Sequence, residues 1–426
     1  MSSTHKPIAE EICRVMRRVY DQELTTLTGG NISVMDEDGV MWTTPTAIDK
    51  AALRPEDIVR VFQDGHTEGR HRPTSEYRIH WAILKEHPEL RAVIHAHSPQ
   101  LVTMSILYQA PDTRIFPSAY EMFGQSAMSA YAPPGSMELV ERVTETFRTG
   151  CRAAILENHA AFLASAKGLD DAYACFEQLD KTAFLQVQTP VIGTPVVLSR
   201  EELSLFRAYL DRHAPTASEK PFTQEQQALA DELAALSRRA CGKRLFSSSQ
   251  GVFSARTGAD AFLISASGTD NAYIQNTDFV SVENGAVSGS RMPDPSYVLH
   301  RALYRAYPEV QSIILAAPAY AATFAVCRQP MDCTIIPESF GVLRQTRNIP
   351  LSVLAHQPET ITEYLAPEHP VGLIDNFGIL AIGSSPVLAL DKLEVAEFTA
   401  RSLHQISACH GEIHHLRMEQ LLHTLG

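Results

Sequence analysis

Short apolar runs alternate with amphipathic stretches along the first half of this chain, and the two patterns predict different elements. The apolar runs read as strands near 31–35, 40–43, 59–62, 92–97, 153–157 and 161–164. Helices are expected near 7–25, 76–86, 99–106, 137–148 and 169–187, with Met137–Arg148 amphipathic. For the helix near Glu76, Thr74 or Ser75 is the expected N-cap. That places Glu76 in the first turn, where a carboxylate suits the helix dipole. Strands and helices do not follow the rhythm of a dinucleotide fold, and its GxGxxG pattern is missing. A layered α/β domain with a mixed, largely antiparallel sheet is therefore expected.

The second half repeats the first at an offset of roughly 220 residues. Arg72-Pro-Thr-Ser-Glu-Tyr-Arg-Ile-His80 returns as Arg291-Met-Pro-Asp-Pro-Ser-Tyr-Val-Leu-His300. His87-Pro-Glu-Leu90 returns as Tyr307-Pro-Glu-Val310, and Leu156–His159 as Ile374–Phe377. The Thr44–Ala47 stretch is matched by Ala266-Ser267-Gly268. These matches predict two domains, 1–212 and 223–426, joined by a proline-broken linker at 213–222.

Composition narrows the class without deciding it. A chain of 426 residues exceeds one ordinary core, and 45% apolar with 20% charged residues is globular usage. A net charge of −13 with no basic cluster argues against nucleic acid or an anionic membrane as partner. No apolar run approaches the roughly 20 residues of a membrane span. The N-terminus shows no basic start followed by an apolar stretch, so a cytoplasmic protein is expected. The seven cysteines include no CxxC and read as reduced thiols.

Candidate chemistry lies in His95-Ala-His97, in His159 and in Glu76. Alternate strand residues share a face, so the first two imidazoles stand side by side. Three imidazoles and a carboxylate suit tetrahedral zinc, or a more open redox-metal site. The copy loses all of it: Ser296, Leu315, Ala317 and Phe377 stand opposite Glu76, His95, His97 and His159. The second pocket is thus expected to be closed to metal. Near the C-terminus, His410 and His414 have helical ligand spacing, but Gly411 favours a solvated tail.

Taken in order, Gly29-Gly30-Asn31-Ile32-Ser33, Thr44–Ala47, Thr74-Ser75-Glu76, His95–Ser98, Tyr131 ahead of Gly135-Ser136, and Asn158-His159 resemble the class II aldolase/adducin family. The resemblance spans residues near 7–205, and 223–405 as a degenerate copy. The family includes L-fuculose-1-phosphate aldolase, L-ribulose-5-phosphate 4-epimerase and related dehydratases and decarboxylases. It implies two tandem three-layer α/β/α domains with mixed, mainly antiparallel sheets. It also implies Zn2+, with Fe2+ or Mn2+ as alternatives, on Glu76, His95, His97 and His159. Glu76 would double as acid/base, and Tyr131 would act as proton donor across a subunit interface. Gly30, Asn31, Thr46, Ala47, Thr74 and Ser75 would hold the substrate anion, through backbone N–H groups of Gly29–Asn31 and hydroxyls, with no lysine required.

The implied reaction is a lyase step that cleaves or forms a C–C bond beside a carbonyl through a metal-stabilised enediolate. The substrate would be a sugar phosphate or a hydroxy or keto acid. An epimerase, dehydratase or decarboxylase fits the same groups. Two residues depart from the family pattern: Ala47 and Ala160 stand where glycine is usual. A homodimer or higher even oligomer is expected, in which two chains could form a pseudo-four-fold ring of alternating domains. Tyr131 would then have its counterpart near Val353. The acid would be His356, another residue of the second copy such as Glu338, or absent, and absence would favour decarboxylation or a metal-only reaction. Glu121 is matched with Glu338. A non-haem iron oxygenase and a non-catalytic assembly module of the adducin kind are the readings outside the lyase class.

Overall fold

A computed structural model describes residues 6–218, 220–289, 291–409 and 413–423; His410 lies outside them. Contacts divide the chain into two compact units, Met1–Thr113 with Ser118–Val187, and Arg114–Pro117 with Gln188–Gly426.

The first unit opens with α1 (Lys6–Asp21), β1 (Asn31–Met35), β2 (Met41–Thr43), β3 (Val59–Val61), β4 (Thr67–Glu68) and α2 (Tyr77–Glu86). It continues through β5 (Ala92–Ala96), α3 (Pro99–Ile106), α4 (Pro117–Phe123), β6 (Ser126–Ser129) and α5 (Met137–Arg148). β7 (Ala153–Leu156), β8 (Ala161–Ser165) and α6 (Leu169–Gln188) close it. The sheet runs β4-β3-β2-β1-β5-β8-β7-β6, antiparallel except for the β6–β7 pair. β4 and β6, which the sequence pattern does not predict, are short and carry few large apolar residues.

One face of this sheet packs Val93, Ala154, Leu156, Phe162 and Ala164 against Ile79 and Ile83 of α2 and Leu139, Val143 and Phe147 of α5. Burying each larger side chain contributes about 1.5–3 kcal/mol. His95, two residues beyond Val93, points to the same face. β5 ends where Ser98 caps α3, its side chain accepting the Leu101 N–H at 3.2 Å ahead of Pro99. The start of α2 differs from expectation. Glu76 is itself the N-cap, at φ −100° and ψ 9°, and its side chain makes no capping bond. Its carboxylate is thereby left for the pocket.

The second unit begins with α7 (Arg200–Leu210), β9 (Thr216–Ala217), α8 (Gln224–Gly242), β10 (Val252–Gly258), β11 (Ala261–Ser265) and β12 (Phe279–Glu283). β13 (Ala286–Ser288), α9 (Tyr297–Ala306), β14 (Ser312–Ala316), α10 (Ala319–Cys327), α11 (Pro337–Leu343) and β15 (Arg347–Ile349) follow. The last elements are α12 (Leu351–Ala355), β16 (Val371–Ile374), β17 (Gly378–Gly383), α13 (Pro386–Cys409) and α14 (Met418–His423). Its sheet runs β15-β16-β17-β14-β10-β11-β12-β13-β9. Residues 188–212, α7 included, pack with this unit, and β9, within the stretch expected as linker, pairs with β13.

Strand register fixes the correspondence between the two copies. Asn31 lies opposite His95, and Val252 opposite Leu315, which pairs His95 with Leu315 as the sequence suggests. Two matches need correction. Ser129 lies opposite Leu156 and Ile349 opposite Ile374, so Tyr131 corresponds to Leu351 rather than Val353. Pro117 and Pro337 open matching helices, so Glu338 corresponds to Ser118, and Glu121 to Gly341. Among the described residues no helix is long and apolar enough to cross a membrane.

Candidate metal centre

β5, the β7–β8 turn and the start of α2 bring His95, His97, His159 and Glu76 together in the first unit. One ligand atom from each of the three histidines lies within 4.8 Å of the others, the only such cluster found among the described residues. Their ring centroids are 4.7, 5.1 and 5.2 Å apart. His159 reaches the group from a tight turn in which Asn158 takes φ 53° and donates its N–H to the Ser105 carbonyl. Asn158 Oδ1 accepts from Tyr108 Oη at 2.6 Å, which fixes the turn from the other side. Ala160 does not take positive φ, so the alanine there needs no glycine backbone.

Hydrogen bonding sets the protonation of the ring that is fully buried. His95 Nδ1 lies 2.9 Å from the Ala161 carbonyl, which can only accept, so Nδ1 carries the proton and the Nε2 lone pair faces the cluster. Its ring stacks on Phe162, centroids 4.1 Å apart. Burial, reinforced by the neighbouring imidazoles, pushes the His95 pKa well below its ordinary value. His97 is lowered too, first by burial and then by His159. Both are therefore neutral near pH 7, the form a metal requires.

Glu76 stands over this set. Its Oε2 accepts from Asn31 Nδ2 at 2.8 Å and lies 3.1 Å from His95 Nε2; its Oε1 is 3.7 Å from His159 Nε2. A lone pair and a carboxylate oxygen so close repel each other unless a cation joins them. Nε2 of His95 and Nε2 of His97 are buried with no hydrogen-bond partner. Orphaned buried nitrogens are costly and call for an explanation. A divalent cation satisfies all of them, so the donor set fits the metal expected from the sequence.

The residues expected to bind an anion lie on three loops, of which Gly30, Asn31 and Thr74 touch His95 or Glu76. Gly30 sits at φ 66°, and a Cβ there would lie 3.0 Å from the His95 carbonyl and 2.8 Å from Thr25 Oγ1. Thr74 donates its N–H to the Thr44 carbonyl, Thr46 to the Arg72 carbonyl, and Thr74 Oγ1 lies 3.5 Å from the Glu76 nitrogen. Ala47 takes φ 52°, the backbone a glycine would adopt freely. Thr46, Ala47 and Ser75 are exposed. Tyr131 stands apart: its side chain is 55% exposed, and its tie to the site is a backbone N–H donated to Glu157 Oε2 at 2.9 Å. His356 and Glu338 are also exposed.

Sequence reading missed three buried polar residues of this unit. His80, one helical turn beyond Glu76, is fully buried with neither ring nitrogen bonded, and burial lowers its pKa to about 3. Thr25 Oγ1 is a buried hydroxyl oxygen without partner. Lys50, at the end of the Pro45–Lys50 loop, is buried. The i, i+4 spacing of Glu76 and His80 was the one available signal.

In the second unit the matching pocket is full. Leu315 and Ala317 are buried, and Phe377 packs against Phe206 and Tyr209 of α7 with centroids 5.5 and 5.9 Å away. Tyr209 Oη donates to Asp294 Oδ1 at 3.1 Å, and Ser296 Oγ donates to the same oxygen at 2.6 Å.

Sequence comparison identifies the architecture. The family model described as Class II Aldolase and Adducin N-terminal domain matches residues 10–187 and again 231–404. The chain belongs to the class II aldolase and adducin family. It is 33% identical over 206 residues to the L-fuculose phosphate aldolase of Escherichia coli K12, covering 45% of this chain and 92% of that one. The 5-deoxy-D-ribulose 1-phosphate aldolase of Bacillus thuringiensis serovar kurstaki is 29% identical over 208 residues, 46% of this chain and 91% of the relative. The 3-oxo-tetronate 4-phosphate decarboxylase of Haemophilus influenzae is 31% identical over 180 residues, 41% and 85%. The chain thus holds two copies of the class II aldolase domain, the second without counterparts of Glu76, His95, His97 and His159.

Proposed function

We propose that the first unit is a metal-dependent lyase of class II aldolase type, acting in the cytoplasm on a small, hydroxylated, anionic metabolite. The observation that carries this reading is the pair of orphaned Nε2 atoms of His95 and His97 facing the Glu76 carboxylate. His95, His97 and His159, with Glu76, would hold a divalent cation, zinc first, which when bound supplies Lewis-acid polarisation of the substrate carbonyl. Glu76, oriented by Asn31, moves the proton at the carbon beside that carbonyl as the C–C bond is cleaved or formed. Tyr131 offers an exposed phenol as proton donor to the aldehyde oxygen. Gly30, Asn31, Thr46, Ala47, Thr74 and Ser75 receive the anionic group of a sugar phosphate or hydroxy acid.

In the assembly we favour, a second copy of the chain covers the 106–108 segment beside the Asn158–His159 turn. Ile106, Leu107 and Tyr108 are exposed in the first unit, at 55–59%. Val326 and Cys327, which match the first two, are buried beside residues 193–196 in the second unit. An even number of chains in an alternating ring would give the first unit the same cover. Sedimentation of a monomer at micromolar concentration would end that arrangement.

The test of function is elemental analysis joined to a screen of sugar phosphates and hydroxy acids. Close to one zinc per chain with aldehyde release supports the lyase. Zinc with carbon dioxide release moves the assignment to decarboxylation, the activity named for the Haemophilus influenzae relative. Iron with oxygen consumption would make it an oxygenase, and no metal after reconstitution would leave an assembly module.

A further inference from the structure

Lys50 is 1% exposed, and no carboxylate pairs with it among the described residues. Its Nζ donates to the Pro45 carbonyl, and its backbone N–H donates to the Leu27 carbonyl at 2.8 Å. The residue therefore joins the two loops that carry Gly30 on one side and Thr46 and Ala47 on the other. Burying an ammonium without a counter-charge is expensive. The cost is visible in its pKa, which burial alone lowers to about 8. The same loop region holds two buried oxygens without partners, Thr25 Oγ1 and Asn31 Oδ1. A charge without a counter-charge, and polar atoms without partners on a loop that it ties, point to a ligand rather than to the fold.

The second unit supplies the control. Asn271 occupies the position of Lys50: its N–H donates to the Ser248 carbonyl at 3.0 Å, and its Nδ2 donates to the Ser247 carbonyl at 3.1 Å. A neutral amide thus ties the matching loops together. What the second copy has dropped, along with its metal ligands, is the charge.

We propose that Lys50 is the buried counter-charge for an oxyanion of the ligand, a phosphate or a carboxylate seated over the Gly30 and Thr46–Ala47 loops. This rests on the reading of the substrate as anionic, and it revises the sequence expectation of an anion pocket that needs no lysine. Lys50 acts through the field it places under the loops and through the Pro45 peptide it polarises. It is a positioning residue, not a proton carrier.

The experiment compares full-length wild type with Lys50→Asn, the residue the second unit already uses, and with Lys50→Gln as a second neutral variant. Inorganic phosphate and acetate are titrated calorimetrically, with metal content and thermal midpoint measured alongside. We expect phosphate or acetate binding to weaken about tenfold or more in a folded variant whose metal content matches wild type. Tighter wild-type binding of phosphate identifies a phosphoryl ligand, and tighter binding of acetate a carboxylate. Unchanged affinity in either folded variant overturns the role of Lys50 while leaving the anionic substrate intact. Failure of both variants to fold assigns Lys50 to the fold and overturns it equally. Wild-type protein that binds neither anion overturns the anionic-substrate reading and this one together.

Discussion

In the first unit the pocket beside the central sheet is lined by groups left waiting; in the second, the same pocket is lined by groups already satisfied. His95 and His97 keep unpaired buried nitrogens, whereas Leu315, Ala317 and Phe377 offer only carbon, and Phe377 meets Phe206 and Tyr209 of α7. Even the histidines that both copies keep differ. His300 reaches Ser254 Oγ at 2.7 Å and Ser296 Oγ at 3.5 Å, while neither nitrogen of His80 has a partner. The contrast separates two uses of burial. A structural pocket pairs or removes its polar atoms because each orphan costs about 1–3 kcal/mol. A binding pocket keeps them, and the ligand completes the set.

The sharpest way to break this comparison is to truncate one pocket residue in each copy. His95→Ala should reduce bound metal from about one per chain to almost none and lower turnover by about 10³-fold or more. Phe377→Ala, at the position of His159, should leave metal content unchanged by elemental analysis. Metal lost from both variants would mean the second pocket is not silent.

Stability should respond in the opposite sense. Phe206, 1% exposed, is part of the filling of the second pocket. Truncating it to alanine should cost about 3–5 kcal/mol in denaturant unfolding, with metal retained. A cost below about 1 kcal/mol would show that α7 does not plug the pocket.

Acid should weaken both units alike. His80 and His300 have pKa values lowered to about 3 by burial, against 6.5 for the ordinary group. Below pH 6.5 the unfolded chain therefore binds protons that the folded one refuses, and stability falls as pH falls. Each histidine contributes a loss of up to about 1.4 kcal/mol per pH unit, ending near its folded pKa. Urea midpoints at pH 7 and pH 5 check the slope. Replacing either histidine with glutamine should flatten it by a similar amount.

The smallest effect concerns two matched turns. Ala47 takes φ 52°, and Gly268, its counterpart, takes φ 73°. Ala47→Gly should stabilise the first unit by about 1 kcal/mol or less through relief of left-handed strain. Gly268→Ala should cost a comparable amount, since no atom lies within 4 Å of the added Cβ and only the backbone objects. Thermal midpoints moving in the same direction would contradict the shared turn.

Much of this was legible in the residues alone. Apolar runs marked β1, β5, β7 and β8, helical spacing marked α2, α3, α5 and α6, and the alternation of His95-Ala-His97 placed two rings on one face. The repeat and the loss of its ligands needed only alignment of the two halves. Edge elements such as β4 and β6 escaped because short, exposed segments carry little apolar pattern. The match of Tyr131 slipped by two residues, and that of Glu121 by three, because weakly patterned loops hold no register until strands pair.

The sequence by itself determined that this is a duplicated α/β chain with one histidine-rich copy and one stripped copy, because side-chain periodicity and residue identity are local properties. Tertiary structure alone decided that Glu76 caps its helix without spending its carboxylate, that α7 plugs the second pocket, and that Lys50 lies buried without a counter-charge. Each of these depends on which groups meet after distant segments pack, and burial converts an ordinary polar residue into one whose charge or hydrogen bonds must be answered.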